Sequence, residues 1–334
     1  MIHPHAIIHV LMITSVWPTP GRARTTYFIR RQAEFLQAAG VDVDVFHFKA
    51  AKRPWNYLLA WLRVRRRMAR KRYDVAHAQF GQSGLLALPK RVPLVVTFRG
   101  DDLQGMLDPK GRLTLAGRLL KLVSQTVGRC ADAAIVVSEH MTGLLHPSVP
   151  THVIPSGLDF ELFRPIPQDE ARRHLGLPVD KRFVLFVGDP ELPRKRYDLA
   201  QAAVAVLNRS LPAELLLAWG APHTDIPFFM NAADAFVFTS RQEGSPNVVK
   251  EALACNLPVV SVRVGDVALR LAGVEGCELC EDDRPETIAA ALERVLRRHQ
   301  RVAGRDAVRD LDEHTLTQQV ISVYRSVAGA RRSS

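Results

Sequence analysis

The segment Thr239-Ser240-Arg241-Gln242-Glu243-Gly244-Ser245-Pro246-Asn247-Val248-Val249-Lys250-Glu251-Ala252-Leu253 gathers the residue types needed to hold an anionic, hydroxyl-rich ligand. Ser245 is a good N-cap and Pro246 suits the first helical position, which predicts a helix over Pro246–Ala254. Its first amides, on Asn247, Val248 and Val249, then lie at a helix N-terminus, where unpaired donors and the dipole suit a pyrophosphate. Glu243 on the loop and Glu251 on the second turn can each accept from pairs of sugar hydroxyls. Taken alone, Glu251 reads as a carboxylate on a solvated helix face and Glu243 as part of a turn; with the helix start between them, both can face one ligand.

Such a loop needs a parallel sheet beneath it. Short β-branched runs alternate with helical patterns from end to end, the sign of βαβ units. Strands are expected at His9–Ser15, Val41–Phe48, Val75–Phe80, Leu94–Phe98, Ala134–Ser138 and His152–Pro155, then at Phe183–Val187, Leu215–Trp219, Ala235–Thr239, Pro258–Val264 and Glu278–Glu281. Helices are expected at Phe28–Ala39, Leu115–Val127, Tyr197–Leu207, Glu286–Arg298 and His314–Val327. Turn formers from Pro155-Ser156-Gly157 to Pro165-Ile166-Pro167 mark a break between two doubly wound domains. Ligands of such sheets bind beyond the carboxyl ends of the strands. No G-x-G-x-x-G follows the first strand, which sets a nicotinamide enzyme aside.

Glu243 and Glu251, eight positions apart across Gly244, resemble the E-x7-E element of glycosyltransferase family 4, a retaining GT-B family. Val153-Ile154-Pro155-Ser156-Gly157-Leu158-Asp159 with Phe163 and Pro165 resembles its interdomain "IPNGVD…F.P" stretch. Ala233-Asp234 with Phe236 to Ser240 resembles its "AD.fv.pS" strand, and Glu251-Ala252 through Pro258-Val259-Val260 its "EA.A.G.PVV" run. The likeness spans nearly the whole chain and is sharpest from Thr151 to Val267. It implies an α/β GT-B fold: two Rossmann-like parallel-sheet domains facing across a cleft, with the C-terminal helix crossing back. Residues 1–160 would bind the acceptor and 161–312 the nucleotide sugar, with a helix and polar tail over 313–334.

The resemblance also implies retaining transfer of a sugar from a UDP- or GDP-sugar to a glycan or lipid-linked acceptor, as in cell-surface polysaccharide or glycolipid biosynthesis. No cofactor beyond the donor and no essential metal are expected. On this basis Glu251 holds the ribose, Glu243 contacts the donor sugar, and Gly244 with the amides after Ser245 takes the sugar and phosphates. Lys195, seven residues past Gly188, matches the family lysine that pairs with the diphosphate, where an ammonium neutralises charge growing on the leaving group. Gly21, followed by Arg22 and Arg24, resembles part of the family's N-terminal glycine loop near the donor phosphate, although a turn glycine is the simpler reading.

Two departures stand out. Asp189 occupies the place of a family arginine, so one diphosphate contact is missing or comes from Arg194 or Arg196. The family's "T.HG.D" reads here Thr97-Phe98-Arg99-Gly100-Asp101-Asp102. Arg99 stays protonated and cannot act as a base, but it can stabilise a phosphate or an acidic acceptor sugar. Retaining GT-B transfer is generally thought to use the leaving phosphate to deprotonate the acceptor. Positioning and charge stabilisation are then what the protein must supply, which makes Glu243, Lys195 and Arg99 the expected catalytic residues. A second reading is a catalytically idle GT-like subunit that binds or stabilises a partner; intact Glu243, Glu251 and Lys195 speak against it. A sugar-nucleotide epimerase would need acid-base groups that form no clear set here. His77 reads as a packed histidine before a functional one, and Asp42-Val43-Asp44 lies along a strand and carries no metal role.

At 334 residues the length favours two domains, and the net charge of +11 asks for an anionic partner: nucleic acid, lipid head groups or phosphorylated substrate. No recognised motif supports nucleic acid. From Lys49 to Arg72 there are ten Lys or Arg and no Asp or Glu, interleaved with Trp55, Tyr57, Leu58, Leu59, Trp61 and Leu62. This is either an amphipathic helix for an anionic bilayer or a surface helix whose apolar stripe packs inward. The run Ala6–Ile13 reads as a strand rather than a signal, and no segment approaches the roughly 18 apolar residues of a spanning helix. Cys130, Cys255, Cys277 and Cys280 read as reduced thiols, the lone CxxC lacking the partners of a zinc site. The expected location is cytoplasmic, with peripheral attachment to the inner membrane face through Lys49–Arg72.

Overall fold

The computed structural model describes residues 7–18, 27–49 and 54–332. Along the first half run β1 (His9–Thr14), α1 (Tyr27–Ala38), β2 (Asp42–His47), α2 (Pro54–Arg70), β3 (Val75–Gln79), a 3-10 turn (Gly81–Ala87), β4 (Leu94–Phe98), α3 (Asp101–Gln104), α4 (Leu115–Cys130), β5 (Ala133–Val136) and β6 (Thr151–Val153). There follow α5 (Gln168–Leu175), β7 (Phe183–Val187), α6 (Tyr197–Leu207), β8 (Glu214–Ala218), α7 (Ile226–Ala232), β9 (Ala235–Phe238), α8 (Asn247–Ala254), β10 (Val259–Ser261), α9 (Val267–Leu271), β11 (Glu278–Leu279), α10 (Pro285–Arg298), α11 (Gly304–Ala307) and α12 (Glu313–Arg332).

The strands pair in parallel as two sheets, ordered β2-β1-β3-β4-β5-β6 and β11-β10-β9-β7-β8. Each run read as a strand from the sequence is one. The largest trimming is at β10, where Pro258–Val264 shortens to Val259–Ser261 because the chain leaves the sheet toward Gly265 at φ +54°. Strands such as Leu94–Phe98 are buried at every position, as a parallel sheet covered on both faces requires.

The chain divides into two compact units: Met1–Leu107 with Leu113–Gly157 and Glu313–Ser334, and Leu158–Asp312 with Asp108–Arg112. Apart from the short excursion Asp108–Arg112, the chain passes to the second unit between Gly157 and Leu158, and α12 belongs to the first unit. There Tyr324 is fully buried, its hydroxyl 2.6 Å from His77 Nδ1, and Arg31 Nε donates to Glu313 Oε2 at 2.8 Å. Arg31 also reaches the Gly157 carbonyl, and a Cβ on Gly157 would lie 2.6 Å from the Glu313 carboxyl carbon.

In the first unit, strand order runs from β1 out to β2 and then back past β1 to β3, β4 and β5. Right-handed crossovers therefore put α1 on one face of the sheet and α2, the 3-10 turn and α4 on the other. The inner row of α2 packs as the surface-helix reading expects, with Ala60 and Val64 buried and Tyr57, Trp61 and Met68 against the core. An outer row of Trp55, Leu58, Leu59 and Leu62 remains exposed. Asp42 and Asp44 are engaged by Lys71 and His9, and by Arg67 and Tyr73. Among the described residues no helix is long and apolar enough to cross a membrane.

Candidate active site

The second sheet reverses its strand order at β7, and both β7 and its neighbour β9 end in loops that carry the expected residues. Gly188 follows β7 at φ +143°, a conformation that L side chains rarely adopt. A Cβ there would meet Lys195 Cδ and Cε at 3.7 Å, an ordinary contact, so the demand for glycine is conformational rather than steric. The chain folds back through a short 3-10 turn, Pro193–Lys195, which is tied to the end of β9. Thr239 Oγ1 donates to the carbonyls of Lys195 and Arg196 at 2.9 and 3.0 Å, and Arg241 N donates to the Arg194 carbonyl at 2.8 Å.

This tie places two cations on one carboxylate. Lys195 Nζ donates to Glu243 Oε1 at 2.7 Å and Arg194 Nη1 to the same oxygen at 2.8 Å. The side chains of Lys195 and Glu243 are each 14% exposed. Burial alone pushes the Glu243 carboxyl up, but Lys195 and then Arg194 outweigh it and hold the group below its ordinary value. Two cations against one anion leave net positive charge where a loop meets a helix start, suited to stabilising an anionic leaving group.

The departures at this turn resolve locally. Asp189 Oδ1 accepts from Glu191 N at 3.0 Å, so its carboxylate is engaged in its own turn. Arg196 donates to the Thr239 carbonyl at 2.6 Å and pairs with Asp283, which turns it from the cluster. Arg194, not Arg196, stands with Lys195.

Ser245 is not the N-cap. The helix begins at Asn247 with the extended Pro246 in the cap position, and Ser245, one residue farther out, donates its hydroxyl to Asp266 Oδ2 at 2.7 Å. Pro246 has no side-chain acceptor, so the first turn is entered uncapped and its early amides, on Asn247 and Val248, lie at the helix start. Val249 N reaches the Pro246 carbonyl at 3.2 Å. Gly265 packs on the same loop: a Cβ there would lie 2.9 Å from the Gly244 carbonyl oxygen. Sequence reasoning missed Gly265 and Asp266, although a Gly-Asp pair just past a strand of a parallel sheet is a place to look. Glu251, on the second turn of α8, is only 9% exposed, which removes the reading of a solvated helix face.

Arg99 belongs to the first unit, just past β4. Its Nη1 donates to Ser156 Oγ at 2.6 Å and its Nη2 to Gln79 Oε1 at 2.8 Å and Gln32 Oε1 at 3.2 Å, with the guanidinium over the Phe28 ring. Burial lowers its pKa to about 10, so it stays a cation at neutral pH, held by neutral partners. Asp102 shapes this loop by accepting from the amides of Gly81, Arg99 and Gly100 at 3.0 to 3.1 Å. His77 is packed: Nδ1 meets Tyr324, Nε2 meets Thr97 Oγ1 at 2.7 Å, and burial with Arg99 nearby lowers its pKa to about 3. Gly21, with Arg22 and Arg24, lies outside the described residues. Cys277 Sγ accepts from Val259 N, and among the described residues no group of three His, Cys, Asp or Glu converges.

Two parallel-sheet α/β units, with a lysine, an arginine and a glutamate gathered at the reversal point of the second, define a glycosyltransferase of the GT-B fold. Residues 23–162 match the model described as Glycosyltransferase Family 4 and residues 179–298 the one described as Glycosyl transferases group 1; the chain belongs to this family. It is 25% identical to TuaC of Bacillus subtilis, named for teichuronic acid biosynthesis, over 92% of this chain and 94% of that one. It is 28% identical to the D-inositol 3-phosphate glycosyltransferase of Thermobispora bispora, over 75% and 69% of the two chains. Among solved structures, sucrose-phosphate synthase from Thermosynechococcus elongatus has a TM-score of 0.81 at 20% identity, covering 97% of this chain and 100% of that one. HepE of Anabaena, in complex with UDP-glucose, has 0.70 at 18%, covering 96% and 100%. Both share the fold.

Proposed function

We propose that this protein is a retaining glycosyltransferase that moves a sugar from a nucleoside-diphosphate sugar to a glycan or lipid-linked acceptor of cell-surface polysaccharide or glycolipid biosynthesis. The observation that carries the reading is the junction of Lys195 and Arg194 on Glu243, beside the start of α8. In this reading Glu251 holds the ribose and Glu243 the donor sugar. Gly188, Gly244, Ser245 and the early amides of α8 line the diphosphate, while Lys195 and Arg194 neutralise the leaving group. Arg99 orients the acceptor as a fixed cation. The leaving phosphate removes the acceptor proton, so no protein base is needed. The cationic pair does the work that a metal would otherwise do, and activity is expected to survive EDTA.

UDP is the first donor base to test, since HepE was solved with UDP-glucose, and GDP is the second. Thermal shift and calorimetry with UDP, GDP, ADP and their sugars, on the wild type and Glu251→Ala, test the reading. Selective stabilisation by one nucleotide, lost in the variant, supports it; no binding by any of them overturns it. The idle-subunit reading is not favoured, because Glu243, Glu251 and Lys195 are intact and the named relatives are transferases.

We also propose peripheral attachment on the cytoplasmic face of a membrane through the basic segment around α2. Its support is the exposed row Trp55, Leu58, Leu59 and Leu62, beside exposed Arg63, Arg66 and Arg70.

A further inference from the structure

α4 is built inside out. Its buried positions are the small residues Gly117, Ser124 and Gly128 with Val127, whereas Leu115, Leu119 and Leu122 are 81%, 62% and 61% exposed. The spacing i, i+4, i+7 sets these leucines in one row on the solvent side. Close packing explains the inner residues: a Cβ on Gly117 would lie 2.5 Å from the Met106 backbone, and one on Gly128 3.0 Å from Leu145. Nothing in the fold requires leucine outside. A row of three leucines left this open marks a surface that is covered in use.

Charge indicates the cover. α4 contains Arg118, Lys121 and Arg129 and no Asp or Glu, and none of these three has a carboxylate partner among the described residues. α2 repeats the combination, with Trp55 71% exposed and Leu58, Leu59 and Leu62 beside it. Both helices pack on the turn Gly81–Ala87 and the residues that follow it. Trp61 Nε1 of α2 donates to the Leu88 carbonyl at 2.7 Å, while a Cβ on Gly81 or Gly84 would lie 2.4 Å from Ser124 or Val127 of α4. They therefore flank that turn on one face of the sheet, and its Leu85 is itself 38% exposed.

We propose that α2, the turn at Leu85 and α4 form one surface that binds an anionic phospholipid bilayer. The leucines and Trp55 enter the acyl boundary, and Arg63, Arg66, Arg118, Lys121 and Arg129 meet the head groups. A second copy of the chain fits less well, since it would bring the same uncompensated cations against themselves. The inference extends the membrane reading above from one basic helix to a two-helix face whose apolar row on α4 is essential.

Sedimentation of the whole protein with vesicles of phosphatidylcholine, alone or mixed with phosphatidylglycerol, tests it. Binding is expected to the mixed vesicles only and to weaken as salt rises. The triple variant Leu115→Ser, Leu119→Ser, Leu122→Ser is expected to bind roughly tenfold or more weakly, with melting temperature and nucleotide stabilisation unchanged. Nucleotide stabilisation is read separately, so failure of the donor reading and failure of this one are distinct. Equal vesicle binding by the triple variant and the wild type overturns the proposal. So does equal binding to neutral and anionic vesicles, or a dimer in sedimentation velocity that the serine variant dissolves.

Discussion

Glu243 Oε1 receives both Lys195 Nζ, at 2.7 Å, and Arg194 Nη1, at 2.8 Å, so a single carboxylate oxygen aims the two cations of the turn after β7. If the ammonium stabilises charge developing on the leaving group, its contribution is to the transition state more than to ground-state binding. Lys195→Ala is expected to lower kcat by roughly 10²- to 10³-fold while the donor KM changes much less. Steady-state turnover of the donor is the measurement, and an unchanged kcat removes Lys195 from the mechanism.

The same contact sets a pH dependence. Lys195 and Arg194 hold the Glu243 carboxyl below its ordinary 4.5 despite burial. A group whose folded pKa is depressed adds stability that is fully present above the unfolded value and is lost as pH falls through the folded one. The stability difference between the wild type and Glu243→Gln should therefore be flat from pH 5 to 8 and shrink below 4.5. Urea titrations at several pH values measure it; a difference that changes near pH 7 contradicts the ion-pair geometry.

Asp266 tests whether the loop is held for binding or for folding. Its Oδ2 takes the Ser245 hydroxyl at 2.7 Å and pairs with Arg270 Nε at 3.4 Å, while its buried Oδ1 has no hydrogen-bond partner among the described residues. Removing one partner of a buried ion pair costs stability, but Arg270 keeps Asp310 at 3.2 Å and the loss of the orphan oxygen offsets part of that cost. Asp266→Ala is expected to lower the melting temperature only slightly, yet to increase the donor KM several-fold as Ser245 and Gly244 lose their register. A lower melting temperature with unchanged KM would make Asp266 a structural residue only.

How much of this could be read in advance follows from the range of the interactions. Runs such as Leu94–Phe98 and Phe183–Val187 announce parallel strands because burial on both faces leaves them apolar at every position but Thr97. The stretch from Glu243 to Val249 could be picked out because a loop entering a helix has local chemistry. The partner of Ser245 could not, since Asp266 comes from another strand's end and a serine before a proline looks like a cap. Arg194 and Arg196 were equivalent on paper; only the fold-back onto β9 separates them. α4 misleads in the opposite sense. Leucines at helical spacing predict a buried stripe, and only Gly117 and Gly128 hint that the close-packed face lies elsewhere.

His77 offers the last test, of how α12 is fastened to the first sheet. Both ring nitrogens meet hydroxyls, Nδ1 that of Tyr324 and Nε2 that of Thr97, so the neutral imidazole can donate to one and accept from the other. Burial, reinforced by Arg99, lowers its pKa from 6.5 to about 3. In the unfolded chain the same ring takes up a proton below 6.5, so the unfolded state binds more protons and stability falls as the solution is acidified. The slope approaches about 1.4 kcal/mol per pH unit, or about 2 kcal/mol between pH 6.5 and 5. His77→Gln, which cannot titrate, is expected to lack that component, and the difference between the two proteins in urea unfolding at pH 7, 6 and 5 isolates it from the other histidines. Tyr324→Phe, which orphans one ring nitrogen, is expected to cost about 1–3 kcal/mol at pH 7. If the wild type and His77→Gln lose stability in parallel on acidification, the ring is accessible to protons and α12 is not seated on β3 through it.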